Sequence, residues 1–343
     1  MNKKNRQYAA AGAGLLLAAI VLQVCSRIMA GFAPWYTNHI YPVLMFVIGG
    51  FFGIFSVSVV ELCLYALVIT VIIYTIRFIQ SPLRLLSRGF FLISVILFLY
   101  TVNCGVNYYA VSFSEYSGLE TDLYTKEELQ ELCEYLVKKV NETATDENYA
   151  DHKKEWIQEG ITSMQKAGTE FPPLGGFYPR PKPVLMSRIL SVLQLAGIYV
   201  PFTIEANFNQ EMTDYNIPHT ICHELSHLKG FMREDEANFI GYLACTGSDN
   251  QAFQYSGYLT GLINAGNALA KADLEAYIDV WQGVSEQVRT DIRANNEFWR
   301  QYEGKAAEAA NQWNDTYLKS NNQADGVKSY GRMVDLMLAY RRK

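Results

Sequence analysis

The chain lacks a basic excess. Its 29 Lys and Arg against 34 Asp and Glu give a formal charge of −5, which leaves no cationic footprint for a nucleic-acid backbone and excludes that partner class. Cysteine is sparse: six residues and no CxxC pair, so no metal or redox signature follows from cysteine spacing. Cys25, Cys63 and Cys104 fall in apolar stretches and read as small buried hydrophobes. Cys133, Cys222 and Cys245 lie in the polar part, where an extracytoplasmic setting would allow two to pair without demanding it. Acid and base are both missing from residues 30–58. Histidine is as scarce as tryptophan, with five residues in 343, yet three of them fall within 219–227.

The first third has apolar length instead. A bilayer takes about 20 apolar residues per helix, and three stretches reach that: 8–29, a span placed near 56–78 within the longer tract 43–79, and 89–111. The first is too long, and too poor in cleavage-site residues, for a removed signal peptide, and reads as a retained anchor. Residues 35–54, with Trp35, Tyr36, Tyr41 and Gly49-Gly50, read as an interfacial or re-entrant segment. Lys3, Lys4 and Arg6 precede the first helix, and Arg77, Arg84 and Arg88 lie between the second and third. The positive-inside rule therefore puts the N-terminus and an 80–88 loop in the cytoplasm and residues 112–343 outside. Glu61, near the start of the second helix, reads as an interfacial acid that is paired or protonated. The expected organisation is a transmembrane region, 1–111, followed by an extracytoplasmic domain, 112–343.

Beyond 112 the pattern is mainly helical. Thr125-Lys-Glu-Glu128 forms a capping box ahead of Leu129, Leu132, Cys133, Leu136, Val137 and Val140 at helical spacing. Further helices are expected at 148–167 and 184–195, with a proline-rich loop at 171–183. Residues 197–209 (GIYVPFTIEANFN) read as extended chain. Pro201 suits an edge strand, to which an extended peptide could add. A helix opened by Pro218 and stopped by Gly230 is followed by another at 233–246, then by helical segments near 267–282, 284–310 and 327–341. The fold class is mainly α: three transmembrane helices, then a mostly helical α+β domain with a small edge-strand sheet.

Residues 223–227 read HELSH, a match to H-E-x-x-H expected by chance roughly 0.01 times in a chain of this length. On a helix His223 and His227 project from one face one turn apart and can share a tetrahedral Zn²⁺, with Glu224 placed as general base. A third ligand is needed. Gly230 lets the chain reverse, and Glu234, Ala237, Asn238 and Gly241 share one face of the returning helix. Glu234 is therefore the expected metal ligand, with Asn238 one turn behind it and able to bond a ligand. Glu236 stands as the alternative acid. His219 is a weaker candidate, because three histidines along a straight helix reach one ion poorly. The candidate oxyanion donor is Tyr330, followed by Tyr317 and Arg332.

HELSH followed by E-x-x-A-N resembles the gluzincin metallopeptidases. The resemblance implies His223, His227 and Glu234 as metal ligands, Glu224 as base and Asn238 as support. HELSHLKG also resembles the opening of a metzincin motif, but Arg233 stands where the last histidine would be. Across its apolar segments, the GIYVPFTIEANFN strand, HELSH…EDEANF and the C-terminal YLKSNNQADGVKSYGRMVDLMLAY, the chain resembles domain-of-unknown-function family 3810. This implies a multi-pass bacterial cell-membrane protein with a zincin-like domain and names no substrate. The functional expectation is a membrane-anchored zinc metallopeptidase acting on a peptide or protein substrate, which could itself be membrane-associated. The alternative is a non-catalytic, membrane-tethered zinc-binding or sensor protein.

Overall fold

The structure is a computed structural model that describes residues 2–121, 124–144, 153–323 and 332–343. It is mainly helical with one three-stranded sheet. Three helices are long and apolar enough to cross a membrane: α1 (Lys3–Ile28), α5 (Val59–Phe78) and the span Pro82–Tyr109. That span comprises α6 (Pro82–Tyr100), a π-helical turn (Thr101–Gly105) and a 3₁₀ turn (Asn107–Tyr109). The expected loop at 80–88 is much shorter, because proline is tolerated at the first helical position and Pro82 opens α6 there. Arg84 and Arg88 therefore lie on the helix. Arg84 sits 3.5 Å over the Phe78 ring, Arg88 4.4 Å over Tyr8, and Arg88 also donates to Asn5 Oδ1 at 3.0 Å. α1 and α6 pack closely, with the Phe90 ring pressed against Gly12. α5 buries only Glu61, so Cys63 lies on an exposed apolar face rather than in a core.

Between α1 and α5 the chain is helical: α2 (Phe32–His39), α3 (Tyr41–Leu44), a π-helical turn (Met45–Gly49) and α4 (Gly50–Gly53). It lies against the C-terminal body. A side chain at Gly49 would fall 2.7 Å from Pro179, and Phe46 meets Phe177 edge to face at 5.2 Å.

The body begins with α7 (Phe113–Ser117) and α8 (Lys126–Thr143). The Thr125/Glu128 capping box forms, and Leu129, Leu132, Cys133, Leu136, Val137 and Val140 are buried. Next come α9 (Lys153–Ala167), β1 (Lys182–Pro183), α10 (Ser187–Val192), β2 (Gly197–Val200) and β3 (Glu205–Phe208). The extended 197–209 run is thus a hairpin, not one strand. Pro201 falls in its turn, where Ile204 takes a left-handed conformation (φ 51°). β3 is central, pairing antiparallel with edge strand β2 and parallel with β1.

α11 (Asn216–Leu228) and α12 (Glu234–Thr246) follow, then α13 (Gln251–Ala272), α14 (Leu274–Gln282), α15 (Glu286–Arg300), α16 (Lys305–Ser320) and α17 (Met333–Arg342). Two expectations change here. α13 starts well before 267, because Gly257 and Gly261 pack against Cys245 and Met337 in the core, where polar alternation is absent. The expected 284–310 helix is broken before α16 at Gly304 (φ 149°), a conformation that only glycine adopts freely.

The body is stitched to one end of the apolar bundle. At the N-terminal end of α5, Glu205 accepts from the Val59 and Val60 amides (3.2 and 2.8 Å), from Thr203 Oγ1 (2.8 Å) and from Lys182 Nζ. Lys182 Nζ also donates to Phe52 O at 2.6 Å. Glu61 accepts from the Leu185 and Met186 amides (2.7 and 2.9 Å) and from Tyr65 Oη (2.5 Å), so it is paired, as an acid close to the helix start should be. At the C-terminal end of α6, Asn103 Nδ2 donates to Pro201 O (2.7 Å) and Tyr199 Oη to Asn103 O (2.8 Å). Glu205→Gln removes the charge that neutralises buried Lys182 and weakens the cap on α5. Breaking a buried pair from one side costs about 3–5 kcal/mol, whereas losing one neutral bond in Thr203→Val costs about 1 kcal/mol. Thermal unfolding in detergent should show a much larger loss for Glu205→Gln than for Thr203→Val, and equal midpoints would refute the ranking.

Candidate metal centre

α11 ends where Gly230 takes a left-handed conformation (φ 93°), and the chain reverses into α12. The two helices run antiparallel at very short range. A Cβ on Gly241 would sit 3.0 Å from His219 Nε2 and 3.3 Å from His219 O, so even an alanine would press on His219. That contact sets Asn238 opposite His223 and Glu234 opposite His227.

The result is one cluster of metal-ligand type among the described residues: His223, His227 and Glu234, whose nearest ligand atoms lie within 4.8 Å of one another. His223 Nε2 is 3.2 Å from Glu234 Oε2 and 3.2 Å from His227 Nε2, and His227 Nε2 is 3.9 Å from Glu234 Oε2. Ligand bonds of about 2.1 Å in a tetrahedron give ligand-to-ligand separations of about 3.4 Å, so the spacing fits a single small cation. The tautomers fit as well. His227 Nδ1 donates to Phe231 O (2.7 Å), a carbonyl supplied by the chain reversal itself, and His223 Nδ1 donates to Asn238 Oδ1 (2.8 Å). Both imidazoles thereby turn an Nε2 lone pair toward the carboxylate. Burial holds His227 down, to about 4, so it stays neutral at ordinary pH.

Glu224 lies on the neighbouring turn. Burial pushes its carboxyl up, to about 8; His223 opposes the rise, Glu234 adds to it, and a hydrogen bond from the Tyr199 backbone lowers it. Its Oε2 is buried and has no hydrogen-bond partner among the described residues. Edge strand β2 passes directly over it, since a Cβ on Gly197 would fall 2.5 Å from Glu224 Oε1. A cleft of about 500 Å³ opens here, lined by Gly197, His223, Glu224, Asn238, Trp299 and Asn314, within the usual size of a ligand site. Gln194, Leu195, Asn311 and Asn314 are shared with a second hollow that runs along α16.

The other candidates are engaged elsewhere. His219 Nε2 bonds Asn238 O at 3.0 Å, and burial holds it at about 4. Cys222 is buried against Cys245. Glu236 is buried beside the Phe113 backbone and 3.9 Å from Arg233, and burial raises it to about 7. Tyr317 packs with Tyr108 (hydroxyls 3.1 Å apart) and Tyr100, and Arg332 lies among Asp235 and Asp335. Tyr330 lies outside the described residues.

Several contributors carry no sequence signal. Gln323 bonds the Glu234 amide (3.3 Å) and Met232 O (3.2 Å), strapping the start of α12. Cys104, beyond α6, meets Met232 at 3.6 Å between the sulfurs. The third apolar span thus forms the wall beside Glu234. Only the hydrophobic run at 101–109 hinted at anything there, and it read as membrane.

The model of one protein family, Protein of unknown function (DUF3810), matches residues 36–338. The chain belongs to this family. No curated protein and no solved structure matches it. In this DUF3810 chain the match runs from α2 to α17, and so takes in α5 and α6 of the bundle, the hairpin and the His–Glu cluster, but not α1.

Zinc titration of the purified chain tests the cluster directly. Glu234→Ala and His227→Ala should each abolish stoichiometric zinc. Asn238→Ala, which frees the His223 ring, should weaken affinity about 10–100-fold. Glu236→Gln should leave zinc binding unchanged; zinc loss in that variant alone would move the third ligand to Glu236.

Proposed function

We propose that this chain is a membrane-anchored zinc metallopeptidase that hydrolyses peptide bonds. The observation that carries this reading is the convergence of three lone-pair atoms, from His223, His227 and Glu234, beside the unpartnered buried Oε2 of Glu224. Zinc, when bound there, would lower the pKa of a water molecule and polarise the scissile carbonyl. Glu224 would be the residue that accepts a proton from the attacking water and returns it to the leaving amine. Asn238 and Phe231 O hold the two imidazoles in the required tautomer. β2, lying over Glu224, is positioned to align an extended peptide in the cleft.

A structural metal site would need a fourth protein ligand. Its nearest candidates, His219 and Cys222, are committed to Asn238 O and to Cys245. This favours the catalytic reading over a non-catalytic zinc-binding or sensor protein.

An extracytoplasmic location for the body is part of the same proposal. Arg84 and Arg88 pack against the ends of α5 and α1 that lie far from the body, close to Lys3, Lys4 and Arg6. The body docks on the opposite end, and cationic ends stay in the cytoplasm.

Glu224→Gln should retain zinc and lose peptide hydrolysis by about 10²-fold or more, read by digestion of a peptide library with mass-spectrometric detection. A chelator should abolish wild-type cleavage and added zinc restore it. Undiminished cleavage by the zinc-loaded Glu224→Gln protein would overturn the mechanism.

A further inference from the structure

The segment from β1 to the hairpin turn presents an apolar surface that the body leaves uncovered. Leu185 and Met186 are each 53% exposed and Ile189 is 46% exposed; Val192, Ile198 and Phe202 are exposed as well. On α10, Ser187, Leu190 and Ser191 face inward, which turns Arg188, Ile189 and Val192 outward. Among the described residues, these six make up half of the exposed large apolar side chains beyond residue 110, gathered in 18 positions. Such concentration marks an interaction surface rather than ordinary scatter.

Both ends of this surface are tied to the apolar bundle. The Leu185 and Met186 amides bond Glu61, in the first turn of α5. At a rise of about 1.5 Å per residue, Leu185 and Met186 sit within about 5 Å of the level at which α5 begins. At the other end Pro201 O accepts from Asn103, beyond the last turn of α6. A surface held between the ends of two membrane-crossing helices lies at the level where the bilayer begins. Arg180 and Arg188, both exposed, border it and suit phosphate headgroups above apolar side chains.

We propose that Leu185, Met186, Ile189, Val192, Ile198 and Phe202 dip into the headgroup–acyl boundary of the leaflet that receives the N-terminal end of α5. Their occupant is lipid. This surface continues into residues 194–197, which form one wall of the cleft, so the mouth of the cleft opens at the membrane surface. The proposal rests on α5 and α6 crossing a bilayer and does not depend on zinc or catalysis.

The test uses the full chain in vesicles of phosphatidylethanolamine and phosphatidylglycerol. The photo-crosslinking residue benzoyl-phenylalanine is placed singly at position 186, 189 or 202, and at position 278, where exposed Ile278 lies on α14, a helix packed on α8 and α13 of the body. These positions are on the surface, and folding is checked by helical circular dichroism. Irradiation should give phospholipid adducts at 186, 189 and 202, several-fold above position 278. Equal yields at all four positions, absence of lipid adducts at the three, or crosslinks there to a second copy of the chain would overturn the proposal. Because the readout is lipid attachment, it stands or falls separately from the Glu224→Gln result.

Discussion

The close contact between α11 and α12 governs the site. A tight point is Gly241 against His219, where a Cβ would come within 3.0 Å of the imidazole. Because the helices are antiparallel, a contact at that point sets the separation at every turn along the pair: Asn238 against His223 at 2.8 Å, then Glu234 against His223 and His227 at 3.2 and 3.9 Å. A bulkier residue at 241 would wedge the helices apart and separate the ligands at the far end. The reversal at Gly230 does a second task beyond turning the chain. It delivers Phe231 O to His227 Nδ1, so the loop that returns the carboxylate also sets the orientation of an imidazole.

Much of this was legible in the sequence, and the reason is locality. HELSH, the glycine stop, and the shared face of Glu234, Asn238 and Gly241 all follow from helical spacing within twenty residues. The capping box at Thr125 was legible for the same reason, since its two bonds join residues three apart. Glu61 was legible as a paired acid near the start of its helix, although its partners, the amides of Leu185 and Met186, were not. What escaped were contacts between distant positions. Nothing at Gly197 announces that it must pass over Glu224, and nothing at Asn103 announces Pro201. Core helices also hide their bounds: α13 is covered by α8, α12 and α17, so its sequence carries no polar face to mark where it begins. The three apolar stretches were found, but the start of α6 was misplaced, because arginines that stack on Tyr8 and Phe78 look like loop residues when read by charge alone. Residues 324–331, which include Tyr330, lie outside the described residues.

The junction between bundle and body is ionic on one side and aromatic on the other. At α5, two carboxylates meet the helix end and the amides of the body, one of them compensated by Lys182. Groups of this kind hold position well, because a buried charge shifted from its partner is costly. At α6 the junction is a cluster of hydroxyls and rings from Tyr41, Tyr100, Tyr108, Tyr199 and Tyr317. Tyrosine supplies apolar contact area and a polar tip together, which suits a seam between an apolar helix and a polar body.

Asn103 gives that seam a mechanical meaning. It holds Pro201 through its side chain and Tyr199 through its carbonyl, and these residues flank the end of the strand lying over Glu224. The hairpin therefore has its root on a helix of the bundle and its edge strand above Glu224. The hairpin is packed on α11, with Gly197 against Glu224 and Thr220, so the roof of the cleft and the helix beneath it are fixed to the bundle as one unit.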